Sequence, residues 1–181
     1  MHNPDTRDRY PHLIDGAWTD PDADTYTETT DPATGDPIAS VAAGTAADVD
    51  TAVAAARNAF PAWRDTDPVT RGQRVHRVAE LIRANKERLA TIESLDQGKP
   101  VSQGAARYFE YYAGAADKLE GASIPVGPDQ VDYTVREPYG VSAQIVPWNF
   151  PGNLFARGVA PALVSGNTAV VKPAPTTPLS A

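Results

Sequence analysis

A short turn between two prolines carries the residues of this sequence best suited to chemistry. It reads Pro147-Trp-Asn-Phe-Pro151 and follows residues 141–146, which we predict to form a strand buried on both faces. Such a stiff turn would hold the side-chain amide of Asn149 in place, and a fixed N–H donor can stabilise an oxyanion as its charge develops. Asparagine is also common in turns for backbone reasons alone. The residues by themselves leave both roles open.

A lysine at the end of the next apolar segment is the second feature. The sequence predicts a helix over 152–164, a helix end at Gly166-Asn167 and a strand over 168–172, which together with the first strand make a parallel βαβ unit. Ligands of open α/β sheets bind at the carboxyl ends of the strands. Lys172 leaves its strand at that edge, where a cation suits a polyanionic cofactor. The alternative is a lysine that only reaches solvent.

Composition limits the classes of partner and of mechanism. The sequence contains no cysteine, so a mechanism that needs a thiolate cannot run on this chain alone. A net charge of -7 argues against a nucleic-acid partner. No apolar run is long enough to span a membrane, and the first residues resemble neither a secretory nor a transit peptide, which predicts a cytoplasmic protein without a membrane partner.

The acidic residues are mostly aspartate, and only four lysines occur. This balance favours a protein from a salt-loving cell, because high salt screens the self-repulsion of a surface dense in carboxylates. An ordinary acidic protein is the alternative.

Local signals predict the elements that precede the βαβ unit. Asp15-Gly16 predicts a hairpin over 13–18, and Thr45 with Asp48 predicts a capped helix start. The remaining predicted elements are a strand near 37–42, a helix from Asp67-Pro68 to about Leu95, a helix over about 103–120, a strand pair over 124–137 that is firmest at 133–136, and a helix start at Thr177.

In order and spacing, these motifs resemble the NAD(P)-dependent aldehyde dehydrogenase superfamily. The matching segments are Asp31-Pro-Ala-Thr-Gly35, Glu93-Ser-Leu-Asp-Gln-Gly-Lys-Pro100, Arg136-Glu-Pro-Tyr-Gly140, the 147–151 turn, Ala160-Pro-Ala-Leu163, Gly166-Asn-Thr168 and Val170-Val-Lys-Pro-Ala174. The resemblance implies an α/β fold: the start of a doubly wound, Rossmann-like parallel sheet (one βαβ unit), preceded by helices, a β-hairpin and an oligomerisation strand pair.

The resemblance also implies a domain plan. Residues 1–12 would be a mobile arm, and residues 13–120 the amino-terminal hairpin and helices of the cofactor-binding domain. Residues 121–139 would be the oligomerisation strands, and residues 140–181 the first βαβ of the cofactor-binding domain.

Site residues follow from the same resemblance, position by position. Asn149 matches the oxyanion-hole asparagine of the family. The strand end that lines the nicotinamide ribose and pyrophosphate matches Ile145, Val146, Pro147 and Trp148. Lys172 matches the lysine that contacts the adenosine ribose hydroxyls or a 2′-phosphate, and Ala174 and Pro175 follow it in the cofactor-binding segment. No metal site is implied.

The implied reaction is oxidation of an aldehyde to a carboxylic acid with NAD or NADP by a homo-oligomer. NAD-preferring members often have a glutamate three residues after the lysine, where this chain has Pro175, so NADP should be tolerated or preferred. Family enzymes are well over twice this length, and their cysteine and glutamate base would lie beyond Ala181. The chain is thus expected to be an amino-terminal portion, inactive alone. The alternative is a non-catalytic cofactor-binding or subunit-interaction fragment.

Overall fold

The computed structural model describes residues 6–98 and 104–181, which form a mixed α/β structure. The strands are β1 (Arg9–Tyr10), β2 (His12–Ile14), β3 (Ala17–Thr19), β4 (Tyr26–Thr30), β5 (Pro37–Ala42), β6 (Ser123–Ile124), β7 (Asp132–Tyr133), β8 (Val141–Ile145) and β9 (Thr168–Lys172). The helices are α1 (Ala46–Arg64), α2 (Pro68–Ala84), α3 (Lys86–Gln97), α4 (Gly104–Ala113) and α5 (Pro151–Val164).

The amino-terminal strands form two small sheets. β2 and β3 make the hairpin that the sequence predicts, with Asp15 and Gly16 both in the left-handed region at φ 52° and 74°. The other sheet has the order β1-β5-β4, in which β1 is parallel and β4 antiparallel to β5. The prediction of a mobile arm is therefore wrong for residues 9–12, because Arg9 and Tyr10 pair with β5 and His12 begins the hairpin.

The start of α1 confirms the predicted capping box. The Thr45 hydroxyl accepts from the Asp48 backbone N–H, and the Asp48 carboxylate accepts from the Thr45 N–H at 2.7 Å. The Asp22 N–H donates to the other carboxylate oxygen at 2.9 Å. Because the Thr45 and Asp22 N–H groups favour the charged form, they hold the pKa of Asp48 below its ordinary value.

The two predicted middle helices need correction. The helix expected to run unbroken from 67 to about 95 is interrupted at Asn85, whose side-chain amide donates to the Leu81 carbonyl at 2.9 Å and so competes with the helical bonds. The helix expected to reach 120 ends at Ala113, and Gly114 follows it. Its expected start near 103 lies outside the described residues.

The core lies between α2, α4 and α5. It contains the fully buried Phe109, which lies 6.2 Å from the ring of Phe155, together with Val75 and Ala160. Burying a side chain of the size of phenylalanine contributes about 1.5–3 kcal/mol to stability. Ile92 of α3 is also buried. This core fixes α5, the helix that links the two strands of the candidate site.

Strands β8 and β9 are parallel neighbours joined through α5, which confirms the predicted βαβ unit. The Gly140 N–H donates to the side chain of Asn167 at 2.9 Å, which fixes the beginnings of both strands against each other. The Thr168 hydroxyl donates to the Ala56 carbonyl at 2.9 Å and so ties β9 to α1. The prediction that β8 is buried on both faces is wrong: none of its residues is buried, and Ala143 and Ile145 are exposed, Ile145 to 79%.

A buried arginine joins the ends of three helices. Arg71 in α2 donates to the Val164 carbonyl at the end of α5 at 2.9 Å, to the carbonyl of Arg64, the last residue of α1, at 3.3 Å, and to the Thr66 carbonyl just after α1 at 2.8 Å. Burial lowers the pKa of Arg71, although the nearby Asp67 carboxylate opposes that shift. The Arg64 and Val164 carbonyls end α1 and α5 and lack partners within their own helices, so Arg71 satisfies both of them and also the Thr66 carbonyl in the connection between α1 and α2.

Two further predictions are wrong. The predicted strand pair is present as β6 and β7, but only Tyr133 of its predicted firmer half, 133–136, lies in a strand. The pair is short because it forms an isolated two-stranded sheet whose side chains are exposed and gain no packing. The helix predicted to begin at Thr177 is absent: residues 173–181 form turns instead. The Thr177 side chain bonds to another segment, described below.

Candidate functional site

The site lies where β8 and β9 end side by side. Ile145 pairs in register with Lys172, and the Val146 N–H donates to the Lys172 carbonyl at 3.0 Å. Val146 is buried, whereas Ile145 and Trp148 are 79% and 62% exposed. The two strands therefore end in one edge that presents apolar side chains outward beside a cation.

The turn after β8 is held by side chains from two distant segments. Thr177, in the turn after β9, donates its hydroxyl to the Trp148 carbonyl at 3.1 Å. Gln97, the last residue of α3, donates its side-chain amide to the Asn149 carbonyl. Pro151 then starts α5, and the Leu154 N–H donates to the Phe150 carbonyl at 2.9 Å. Consecutive carbonyls of the turn are thus restrained from both sides.

The Asn149 side chain is free to act on a ligand. Asn149 is exposed, and its side-chain amide makes no hydrogen bond within residues 6–98 and 104–181. The backbone that carries it is restrained, as described above. An amide on a restrained backbone, with its N–H groups unused, is the arrangement that a stabiliser of negative charge requires.

Lys172, Ala174 and Pro175 follow one another along the same edge. The Lys172 ammonium is exposed and donates to the Pro173 carbonyl at 2.9 Å, and it forms no ion pair within the described part of the chain. An ammonium has three N–H donors, so two remain for a ligand. Ala174 is buried and accepts from the Thr177 N–H, whereas Pro175 is exposed at the top of that turn. An exposed cation beside exposed apolar side chains fits a dinucleotide, which has both charged and flat apolar parts.

A buried carboxyl lies behind these turns. Asp96 is 2% exposed; it accepts from the Thr29 hydroxyl at 3.0 Å and from the Leu179 N–H at 2.8 Å. Burial raises its pKa to about 6, and the bonds from Leu179 and Thr29 only partly offset that effect. Asp96 therefore joins the end of α3 to β4 and to the segment that carries Thr177.

Replacing Asp96 with asparagine is expected to change how stability depends on pH. The carboxyl has a pKa of about 6 when folded and about 3.9 when unfolded, so the folded state holds the proton more tightly. The stability it contributes is complete below about pH 4 and is lost as the pH rises through about 6. Relative to wild type, the melting temperature of Asp96→Asn should rise between those pH values and then level off.

The exposed Asp36 provides the control for this measurement, because Asp36→Asn removes the same charge without a buried carboxyl. Asparagine can keep both partners of Asp96, accepting from the Leu179 N–H and donating to the Thr29 hydroxyl. A melting-temperature difference for Asp96→Asn that stays constant across this pH range would contradict the prediction.

All of the residues proposed from sequence lie in the two turns or strand ends of this edge. Sequence reasoning missed Gln97, Thr177 and Asp96. Gln97 and Asp96 belong to the segment 93–100, which matched the family and indicated a helix end but gave neither residue a role, and Thr177 was interpreted as a helix cap. Their partners are distant along the chain, and no local pattern encodes such pairs.

Neither a metal-binding cluster nor a membrane-spanning helix occurs in the described part of the chain. Among residues 6–98 and 104–181, no group of three or more His, Asp or Glu side chains could hold a metal ion. In the same residues, each helix is too short or too polar to cross a membrane.

A parallel α/β edge with an exposed cation and apolar side chains belongs to the class of sites that bind nucleotide cofactors. Residues 18–181 match the aldehyde dehydrogenase family. Hydroxyisobutyraldehyde dehydrogenase of Mycolicibacterium austroafricanum is 43% identical over 98% of this chain and 37% of its own length. The chain therefore belongs to the aldehyde dehydrogenase family.

Solved structures agree with this assignment. The NAD+ complex of an aldehyde dehydrogenase from Bacillus cereus superposes with a TM-score of 0.92 at 37% identity, covering 95% of this chain and 37% of that one. An NADP-dependent enzyme from E. coli gives the same TM-score and coverage at 34% identity. The chain thus spans little more than a third of the length of the proteins that it matches.

Proposed function

We propose that this chain supplies the oxyanion-stabilising amide and part of the cofactor-binding edge of an enzyme that oxidises an aldehyde to a carboxylic acid with NAD or NADP. Family membership supports the reaction class. The observation that carries the proposal is the unused Asn149 amide on a restrained turn, at the edge that also presents Lys172.

The amide would act when a nucleophile adds to the aldehyde. The sequence has no cysteine, so a thiolate must come from residues other than these 181. As the thiolate adds, the carbonyl oxygen gains a full negative charge, and the Asn149 N–H donates to it. Because the turn is already restrained, little reorganisation accompanies that stabilisation. The adduct would become a thioester by losing its hydride, for which bound oxidised NAD or NADP would supply the acceptor. Attack of water on that thioester would then release the acid and regenerate the thiolate.

The strand ends would bind the cofactor. When bound, oxidised NAD or NADP supplies the acceptor for the aldehyde hydride. Ile145, Val146, Pro147 and Trp148 would contact its nicotinamide ribose and pyrophosphate. Lys172 would donate to the adenosine ribose hydroxyls or to a 2′-phosphate, with Ala174 and Pro175 shaping that part of the site. The relatives include an NAD+ complex and an NADP-dependent enzyme, and the exposed Pro175 places no carboxylate beside a 2′-phosphate.

The remaining expectations concern the whole protein. In it, β8-α5-β9 would begin a doubly wound sheet, with 13–120 and 140–181 in the cofactor-binding domain. Residues 121–139 would pair with a second copy in a homo-oligomer, a role supported by the exposure of Val131, Tyr133 and Val135. The aspartate-rich composition supports the further proposal that the organism is salt-loving. We also propose that the enzyme is cytoplasmic.

Two measurements on native material test the proposal. The polypeptide that carries this sequence in its source cells should have a mass well above 19.2 kDa, and it should reduce NAD or NADP only when an aldehyde is present. The 181-residue chain, expressed alone, should show no such activity. Aldehyde oxidation by the isolated chain would overturn the thiolate argument. A native mass of 19.2 kDa would favour a non-catalytic binding or interaction fragment.

A further inference from the structure

The end of α3 is fixed with respect to the turn that carries Asn149. Gly98 follows the last residue of the helix in the left-handed region at φ 71°, and its N–H donates to the Ser94 carbonyl at 2.9 Å. A Cβ at this position would lie 2.9 Å from Cγ of Pro32, so a glycine is needed there both for its conformation and for space. The helix end therefore places Asp96 and Gln97 at defined positions.

Gln97 and Asp96 form hydrogen bonds with the two turns of the site, the one after β8 and the one after β9. The Gln97 amide donates to the Asn149 carbonyl, and the Asp96 carboxyl accepts from the Leu179 N–H at 2.8 Å. Leu179 lies two residues after Thr177, which is 4% exposed and donates to the Trp148 carbonyl at 3.1 Å. One helix end thus restrains the peptides on both sides of Asn149, directly through Gln97 and indirectly through Thr177.

Restraint of those carbonyls determines where the Asn149 side chain can reach. Asn149 has only two side-chain torsions, and the backbone decides which rotamers are allowed. The orientation of the backbone therefore limits the positions that its amide can reach. An N–H donor contributes to catalysis only when it lies within hydrogen-bond distance, about 3 Å, of the position that the oxyanion will occupy, and a misplacement of about 1 Å can cost about 100-fold in rate.

We infer that Gln97 is a positioning residue for the Asn149 amide, and that Thr177 completes the restraint from the other side. This inference rests on the proposed function, in which Asn149 stabilises the oxyanion. The Gln97 amide donates to a backbone carbonyl of the turn, so its effect would pass through Asn149.

Gln97→Glu tests the role of the Gln97 donor most directly, because it keeps the shape of the side chain and removes the donor at neutral pH. In the complete enzyme, kcat should fall about tenfold with little change in KM, since the loss affects the transition state. As the pH approaches the carboxyl pKa of about 4.3, the protonated glutamate can donate again. The ratio of mutant to wild-type kcat should then recover. Gln73→Glu makes the same change on an exposed face of α2 and serves as the control.

Thr177 gives a second pair of variants in case Gln97→Glu alters folding. Thr177→Val has nearly the same volume but no hydroxyl, and should lower kcat in the same way as the Gln97 variant. Thr177→Ser keeps the hydroxyl and should restore most of the rate. Equal rates for the valine and serine variants would overturn the role of Thr177. Melting temperature and NAD(P) affinity, measured on every variant, report folding separately from catalysis.

A double-mutant cycle decides whether Gln97 acts through Asn149. In an Asn149→Ala background, Gln97→Glu should cause no further loss of kcat. A tenfold loss that persists in that background would overturn the inference, as would a normal rate for Gln97→Glu in an enzyme that Asn149→Ala impairs. If Asn149→Ala leaves kcat unchanged, the proposed function itself fails and the inference with it.

Discussion

Replacing Asn149 with alanine is expected to lower kcat of the complete enzyme by about 10²–10³-fold, the usual loss when one oxyanion-hole donor is removed. The reason is local to the turn after β8. The Asn149 side chain is exposed and makes no hydrogen bond within residues 6–98 and 104–181, so its removal breaks no hydrogen bond in that part of the fold. Steady-state kinetics with one aldehyde at saturating NAD(P) measures the change.

Asn149→Asp separates charge from shape at the same position. The carboxylate has nearly the size of the amide, but it would face the developing oxyanion with a like charge, so kcat should fall at least as far as in the alanine variant. Asn58→Ala removes an amide from an exposed position in α1 and is the control. If Asn149→Ala and Asn149→Asp stay folded and keep kcat within about threefold of wild type, far short of the loss of one donor, Asn149 has only a backbone role.

Parts of this fold were predictable because short segments determine them. The hairpin turn at Asp15-Gly16 and the capping box of Thr45 and Asp48 each depend on residues within four positions of one another. The βαβ unit was predictable because apolar runs and the Gly166-Asn167 helix end mark all three of its elements. Local chemistry alone is sufficient for these features.

The errors occur where distant contacts outweigh a local preference. Thr177 has the side chain and the following proline of a helix cap, yet its hydroxyl donates to Trp148, 29 residues away. Asn85 is an exception, because the contact that interrupts the predicted continuous helix is local: its side-chain amide donates to the Leu81 carbonyl in the preceding turn. The exposure of Ile145 was not predicted, because the sequence of an apolar strand end does not show whether protein covers the side chain or the side chain faces outward.

The same reasoning divides the candidate site into two parts. Asn149 and Lys172 could be named from sequence because they follow apolar strands, and the ends of neighbouring parallel strands meet at one edge. Gln97 could not, because its partner lies 52 residues away and no pattern links α3 to the turn. Residues proposed to contact a ligand are thus easier to predict here than the residues that restrain the turn around them.

Introducing a carboxylate at position 175 is expected to make the complete enzyme discriminate against NADP. Pro175 is exposed three residues after Lys172, in the turn that follows β9. Pro175→Glu would place a negative charge near a 2′-phosphate, so the Kd for NADP should rise by about tenfold or more, while the Kd for NAD stays the same or falls as the carboxylate accepts from the ribose hydroxyls. Equilibrium titration with each cofactor measures the change.

Salt and a neutral variant distinguish this repulsion from a change in the turn. Pro175→Gln removes the proline ring without adding charge, so it should bind NADP more tightly than Pro175→Glu does and should show little preference between the cofactors. The discrimination in the glutamate variant should shrink as salt is raised from about 0.1 M to about 1 M, because the screening length falls from about 10 to about 3 Å. If the wild-type enzyme already binds NAD far more tightly than NADP, another residue supplies the discrimination and Pro175 does not set cofactor choice.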